Sequence, residues 1–533
     1  MTQRQLERLS SIDAQFLHNE SDCAHMHIGG LLIFDGAPPP FERYLEHVSE
    51  RLRLVPRYRQ KLVFPPLGLG RPLWVEDPNF NLAYHVRHTA LPSPGSERQL
   101  LRLTARIFSQ ALDRTKPLWE SWLVEGVAPA EPEGPERFAL IFKTHHALVD
   151  GISGVDLATV MLDLEPTPPP LAVKPNPPGP PRAPAGAELL AAGARDALAT
   201  GGALLERAVR ASLRPGRTAA RLLEAAQGIG EIIWAGLNPA PATPLNVEIG
   251  PHRRYAIARH RLADYREIKG TLGGTVNDVV LTVVAGALAR WLRGRGIRTE
   301  GLELRALVPV SVRTIDQRHQ LGNRLAVMRG ALPVYIEDPV ARLETVRRAM
   351  DGLKRSKQAV GAATLAAVES LAPPAVLAQA SRLSFSTRLF NLIVTNIPGP
   401  QVPLYVLGRR LRDLLPVAFL PQRHALAVAI MSYDGQLAYG LLGDYDVLAD
   451  IELIARALDG ALEELLTAAR AGSHTAGAGA GHAARAPEPA PLLPTSPAPA
   501  PLLPTGRARR PGRGPAADMR RRRRAGNAER SDR

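Results

Sequence analysis

Cysteine is nearly absent: Cys23 is alone in 533 residues. That excludes a disulfide framework and every Cys-rich zinc module, and it suits a reducing compartment. No apolar run reaches the ~18 residues that a membrane-spanning helix needs. The opening MTQRQLERLSSIDAQF has no apolar core of the secretory type. A cytoplasmic chain without a membrane span is therefore expected. No Gly-x-Ser-x-Gly elbow occurs, and Cys23 lies outside any nucleophile signature, so a covalent acyl-enzyme is not expected. Lysine is missing from residues 471–533, where twelve Arg face four acids and hold +8 of the formal +15 charge. The rest of the chain is only mildly basic, and no specific nucleic-acid partner is expected.

Proline is abundant, and it divides the chain. Glu165–Pro184 holds ten of the 49 prolines, and Ala486–Thr505, which contains two copies of PAPLLPT, holds another eight. Such density blocks helix and sheet alike. The expected organisation is an N-terminal half, 1–164, then a Pro-rich linker with amphipathic helices, 165–244. A C-terminal half, 245–470, and a disordered Pro/Arg-rich tail, 471–533, complete it. In the linker, Leu205, Val209 and Leu213 recur at helical spacing with Arg207, Arg210 and Arg214 on other faces. Such a basic helix either packs on the body or lies on a membrane or lipid surface. The Arg520–Arg524 run likewise reads either as a solvated tail or as a contact for anionic lipid.

Within the halves, strands alternate with helices. Arg137–Leu148 alternates with Phe138, Leu140, Phe142 and Thr144 on one face, as a strand does. Val276–Leu292 carries a wide apolar stripe at helical spacing behind Thr275, a plausible N-cap. Asp338-Pro339 opens a further helix. Tyr433-Asp434-Gly435 separates two apolar runs, a strong hairpin signal. The composite is an α/β fold with mixed sheets in two halves.

The chemistry concentrates in THHALVDGISGVDL, Thr144–Leu157. A doubled histidine ends a strand and is followed by Asp150-Gly151. Neighbouring strand side chains point to opposite faces, so His145 and His146 do not readily share a metal. One faces a cleft while the other supports it, Gly151 permits a tight turn, and Asp150 can fold back to fix the loop. The bare spacing His-x-x-x-Asp also occurs at His18–Asp22 and His260–Asp264, without the doubled His, the Gly or the preceding strand; His18 and His260 read as surface or packing residues. Cys23, His25 and His27 alternate as a metal trio would, but they run into the apolar IGGLLIF and read as packed sheet residues. No metal ligand set is assigned. Asn19-Glu20-Ser21 fits a glycosylation sequon and has no role without secretion.

HHALVDG resembles the HHxxxDG signature of the CoA-dependent acyltransferase superfamily. LSSIDAQFLH, MHIGGLLIFDG, KPLWE, VNDVVL, VPVSVR, GNRLAVM, NLIVTNIPGP and SYDGQLAYGLLGD follow in that order around it. Together they resemble the bacterial wax ester synthase/diacylglycerol acyltransferase family across residues 8–470. The resemblance implies two similar α/β halves around a central tunnel with the His motif at its middle. It implies transfer of an acyl group from fatty acyl-CoA, a substrate rather than a cofactor, to diacylglycerol or a long-chain alcohol.

That reaction suits His146 as general base, since an alcohol becomes a good nucleophile only as its proton is removed. His145 supports it, Asp150 and Gly151 shape the loop, and Asn277 donates to the oxyanion or shapes the pocket with Asp278. The bland reading of Asn277 and Asp278 is a helix cap. Two alternatives remain open at this stage: a superfamily acyltransferase using a carrier-protein donor or another acceptor, and a non-catalytic protein that binds lipid surfaces. Peripheral contact with the inner membrane face or lipid bodies goes with either lipid reading.

Overall fold

The computed structural model describes residues 7–66, 71–148, 160–169, 188, 238–311, 325–355 and 385–478. All of them lie in one compact unit, Met1–Gly479. Asp150, Gly151, the amphipathic stretch Leu205–Arg214 and the tail beyond 478 fall outside the described residues.

Fifteen described strands build the framework. Those of the first half are β1 (Glu7–Arg8), β2 (His27–Asp35), β3 (Gln60–Val63), β4 (Leu73–Glu76), β5 (Val86–Ala90), β6 (Trp119–Val127) and β7 (Arg137–His145). After the linker come β8 (Arg253–Arg261), β9 (Glu303–Ser311), β10 (Leu325–Pro333), β11 (Leu392–Pro398), β12 (Tyr405–Val406), β13 (Arg409–Val417), β14 (Leu426–Tyr433) and β15 (Gln436–Asp444). They form a small β1-β4-β3 sheet and two six-stranded sheets, β12-β13-β2-β7-β6-β5 and β10-β9-β11-β14-β15-β8. Both large sheets are mixed: β5 runs parallel to β6, and β11 parallel to β9 and β14, while the other neighbours are antiparallel.

Central strands buried on both faces read as near-continuous apolar runs, and β2 (HIGGLLIFD) and β14 (LAVAIMSY) do so. On one face of the first sheet, Leu32, Phe34, Phe138, Leu140 and Leu123 pack under helix Phe41–Leu52. On the other, Leu31, Ile33 and Ile141 join Leu100 and Phe108 of helix Glu97–Ser109, and Ile393, Ala427 and Leu442 of the second half. The second half has its own core around helix Val276–Gly294, flanked by helices Leu262–Leu272, Pro339–Arg355 and Ile451–Ala478.

The halves are not separable at residue 245. Residues 405–417, assigned by sequence to the second half, leave its sheet, and β13 pairs antiparallel with β2. The run Leu414–Val417, buried on both faces beyond a bulge at Leu411/Asp413, fits this strand to an otherwise open edge. Close approach follows where the sheets meet: a methyl on Gly440 would run into the Pro416 carbonyl, which also accepts the Tyr255 hydroxyl at 2.8 Å. Nearby lies a cleft of about 770 Å³ whose lining arginines face acids: Arg259 pairs with Asp413 and Glu97, Arg410 with Asp434, and Arg412 with Asp35. Arg259 thus ties β8 to β13 and to the helix start at Glu97.

The strand 137–148 ends at His145, and His146–Leu148 turn into a 3-10 helix. Thr275 caps Val276–Gly294 through a capping box with Asp278. The Asp338 carboxylate accepts the Ala341 N–H at 2.7 Å to start Pro339–Arg355. Asp434 and Gly435 both take positive φ, as the two-residue hairpin between β14 and β15 requires.

Candidate active site

His146 sits where β7 turns into the 3-10 helix. Its backbone N–H donates to the Met26 carbonyl at 2.8 Å, and that of His145 donates to Leu118 at 3.0 Å. The motif is thus held between the segment entering β2 and the start of β6. The His146 ring lies flat on Phe16 of helix Ser11–Asn19, with centroids 3.8 Å apart and planes at 16°. Phe419 meets it edge-on at 5.6 Å. Phe385 stands 6.3 Å from Phe16 and 6.0 Å from Phe419, completing an aromatic wall drawn from both halves.

The ring lies deep, although the residue as a whole keeps partial exposure. Burial pulls its pKa from the ordinary 6.5 down to about 4, helped by the neighbouring His145, while a contact with its own backbone works the other way. Its Nδ1 is buried and, among the described residues, meets no hydrogen-bond donor or acceptor beyond the residue itself. At neutral pH this is an uncharged imidazole, the form a general base must take.

His145 is fixed instead. It is 1% exposed, and its Nδ1 accepts the Ala147 N–H at 3.1 Å. Its Nε2 lies 3.5 Å from Glu20 Oε2, and Glu20 Oε1 lies 3.4 Å from His27 Nε2. Arg114 closes on the same carboxylate, with Nε at 2.9 Å from Oε2. Behind these, His25 stacks on His27 with centroids 5.2 Å apart. Cys23, His25 and His27 therefore serve packing and this carboxylate cluster, and no group of three His, Cys, Asp or Glu suited to a metal ion occurs among the described residues. Lys143, two residues before His145, is wholly buried; its Nζ donates to the carbonyls of Ile107 at 2.9 Å and Gln110 at 2.6 Å.

Asn277 and Asp278 belong to the second half and have different tasks. Asp278 accepts the Thr275 N–H and hydroxyl, each at 2.8 Å, so it is the capping partner of its helix. Asn277 does not cap; its Oδ1 accepts from Asn396 Nδ2 of β11 at 3.3 Å. The aromatic neighbours of the His146 ring are Phe16 and Phe419. Asp150 and Gly151 lie outside the described residues. Phe16, Phe419 and Glu20 were not legible as site residues: an aromatic on a short helix and a carboxylate inside a sequon carry no periodic signal. The histidine at His260 proves to be buried, pairing with Tyr265 at 2.7 Å and Asp459 at 2.9 Å within the second core.

Two mixed-sheet halves with the HHxxxDG motif where they meet are those of an acyltransferase. The chain belongs to the wax ester synthase/diacylglycerol acyltransferase family: the family's catalytic domain matches residues 9–280 and its C-terminal domain residues 321–466. It is 33% identical over 471 residues to the probable diacylglycerol O-acyltransferase tgs1 of Mycobacterium tuberculosis, covering 86% of this chain and 96% of the relative. A second relative from that species, tgs2, is 33% identical over 462 residues, covering 85% and 97%. The solved wax ester synthase/diacylglycerol acyltransferase of Marinobacter aquaeolei VT8 superposes with a TM-score of 0.59 at 29% identity, covering 87% of this chain and all of that one. Among the described residues no single helix is long and apolar enough to cross a membrane.

Proposed function

We propose that this acyltransferase moves a fatty acyl group from acyl-CoA to the hydroxyl of diacylglycerol or a long-chain alcohol, with His146 as the base. The observation that carries the reading is the His146 ring: held neutral by burial and walled by Phe16 and Phe419 where the two halves meet. A ring nitrogen takes the hydroxyl proton as the oxygen attacks the thioester carbonyl, so a C–O bond forms while the carbonyl electrons move to oxygen. Collapse of the tetrahedral intermediate breaks the C–S bond, and the imidazolium returns its proton to the departing CoA thiolate. Neither a covalent acyl-enzyme nor a cofactor enters this scheme; acyl-CoA is a substrate.

The aromatic wall supports this chemistry by excluding water, which would compete with the alcohol, and by offering apolar surface to an acyl chain. A base held near pKa 4 is weak, which is the cost of keeping it uncharged. Negative charge growing on the intermediate beside the ring favours its protonated form at the moment of transfer. With the Oδ1 of Asn277 taken by Asn396, its Nδ2 is the half of the amide assigned to the oxyanion. Asp150 and Gly151 are assigned to shaping the loop after the histidines. The Arg-rich residues 471–533 are assigned to peripheral contact with anionic lipid on the cytoplasmic side. Salt-insensitive binding to anionic vesicles would remove that assignment.

The test is release of CoA thiol from palmitoyl-CoA with diacylglycerol and hexadecanol supplied in competition, the two esters being separated by thin-layer chromatography. His146→Ala is expected to lower turnover by about 10²–10⁴-fold, the usual contribution of general-base help. Turnover undiminished in that variant would exclude the mechanism.

A further inference from the structure

We propose that Glu20 is a positioning residue for His146: its carboxylate fixes which nitrogen of His145 carries the proton and joins the Phe16 helix to the strand bearing the histidine pair. The inference rests on the reading of His146 as the base and adds the device that holds it.

Two routes run from Glu20 to the His146 ring. The first passes through His145. Because Nδ1 of His145 accepts the Ala147 N–H, a neutral His145 must carry its proton on Nε2. The acceptor facing that nitrogen is Glu20 Oε2, 3.5 Å away, an electrostatic contact longer than an ordinary hydrogen bond. Were the proton to move to Nδ1, two N–H groups would oppose each other across His145 and Ala147. The backbone on the far side of His146 would then lose its anchor. The carboxylate disfavours that state by attracting the Nε2 proton.

The second route runs through helix Ser11–Asn19. Glu20 is its C-terminal cap residue. Arg114 binds Glu20 and also donates to the Leu17 carbonyl at 3.0 Å, so the last turn of this helix is locked to the segment before β6. Phe16, on which the His146 ring lies, belongs to that turn. One side chain therefore sets both the backbone after His146 and the aromatic surface beneath its ring.

The charge needed for this is secured locally. Burial works to raise the Glu20 pKa, but His145 and His27 outweigh it and hold the carboxyl well below the usual range. Its side chain is only 9% exposed, so water screens these contacts little. Purely structural packing would be served as well by the isosteric glutamine, which separates the two explanations.

The experiment compares the full-length chain with Glu20→Gln, His145→Asn and the double variant, measuring kcat and both KM values. Glu20→Gln is expected to lower kcat about 10–10²-fold, the scale set by sub-ångström misplacement of a reacting group. Both KM values should stay within about twofold, because substrate binding is not what Glu20 controls. Glu20→Gln should slow His145→Asn by less than it slows the unaltered protein, since part of its effect passes through that ring. Unchanged kcat in Glu20→Gln, a loss confined to KM, or losses that multiply would each overturn the proposal.

A measurement on the unaltered protein covers variants that fail to fold. With 15N-histidine, and the His145 signals assigned by their loss in His145→Asn or by their coupling to the labelled Ala147 amide, the ring should report a proton on Nε2 only. A proton on Nδ1, or a charged ring, would overturn the proposal. Absence of acyl transfer by the unaltered protein would instead remove the reading of His146, while this spectrum still judges Glu20.

Discussion

A histidine that accepts a proton must arrive without one. His146 meets this through its surroundings: aromatic faces take the place of water, and burial drives its pKa to about 4. The rate should therefore show no loss from protonation of His146 between pH 8 and about 5 and should fall only as the pH approaches 4; a pH profile of kcat/KM checks this. An inflection near 6.5 assigned to His146 would mean that the ring is more solvated than this structure shows. His145, its neighbour in sequence, sits in opposite circumstances, 1% exposed with both nitrogens facing protein groups. Lys143 shows a further use of a buried charge. Burial pulls its pKa down to about 8, with Glu120 working against the shift, and its ammonium serves the carbonyls that end helix Glu97–Ser109. Lys143→Met should cost about 1–3 kcal/mol, because it strips a charged donor from the Ile107 and Gln110 carbonyls and leaves Glu120 to Arg87 and the Trp122 N–H. Urea unfolding reads this directly, and a cost below about 1 kcal/mol would show that water replaces the ammonium.

At the scale of elements, helix starts and tight turns follow rules short enough to be written locally. Thr275 and Asp278 satisfy each other's backbone donors, and the helix behind them is the central rod of the second core. Thr275→Ala should lower stability by about 1 kcal/mol, with kcat changed little, since Asn277 keeps its partner on β11. Denaturation together with a turnover assay separates these outcomes; a large kcat loss at normal stability would place the helix start nearer to the chemistry. The histidine-bearing strand is legible for the same reason: its alternation is a contiguous pattern. Its exit is not. The change from strand to 3-10 helix at His146 depends on the Met26 carbonyl from the segment entering β2, which local sequence does not announce.

For the whole molecule, the halves share a core and exchange a strand, so they should unfold together rather than in two steps. Acid should unfold them readily. His146 and His424 are lowered to about 4 and His27 to about 3, and His25, His47, His85 and His260 are lowered as well, in each case mainly by burial. A histidine whose folded pKa lies below its unfolded value binds protons more weakly when folded. The stability it contributes is complete above about pH 6.5 and is lost as the pH falls toward the folded value near 4. The thermal midpoint should accordingly drop steeply between pH 6.5 and 4 in the absence of substrates. A flat midpoint across that range would show that these rings are hydrated in solution.

What the sequence determined by itself is what neighbours along the chain can decide: strand alternation before His145, the Thr275 cap, the Asp434-Gly435 turn and the doubled histidine with its Asp-Gly. The tertiary structure alone decided which residues from distant segments meet. It sent β13 into the first sheet, brought Phe16 and Phe419 against His146, and gathered Glu20, His27, Arg114 and His145 around one carboxylate. Backbone periodicity is a short-range property, fixed by sterics over a few residues. The pKa of a ring and the wall around it depend on what water is displaced, and that is settled only when the sheets close on each other.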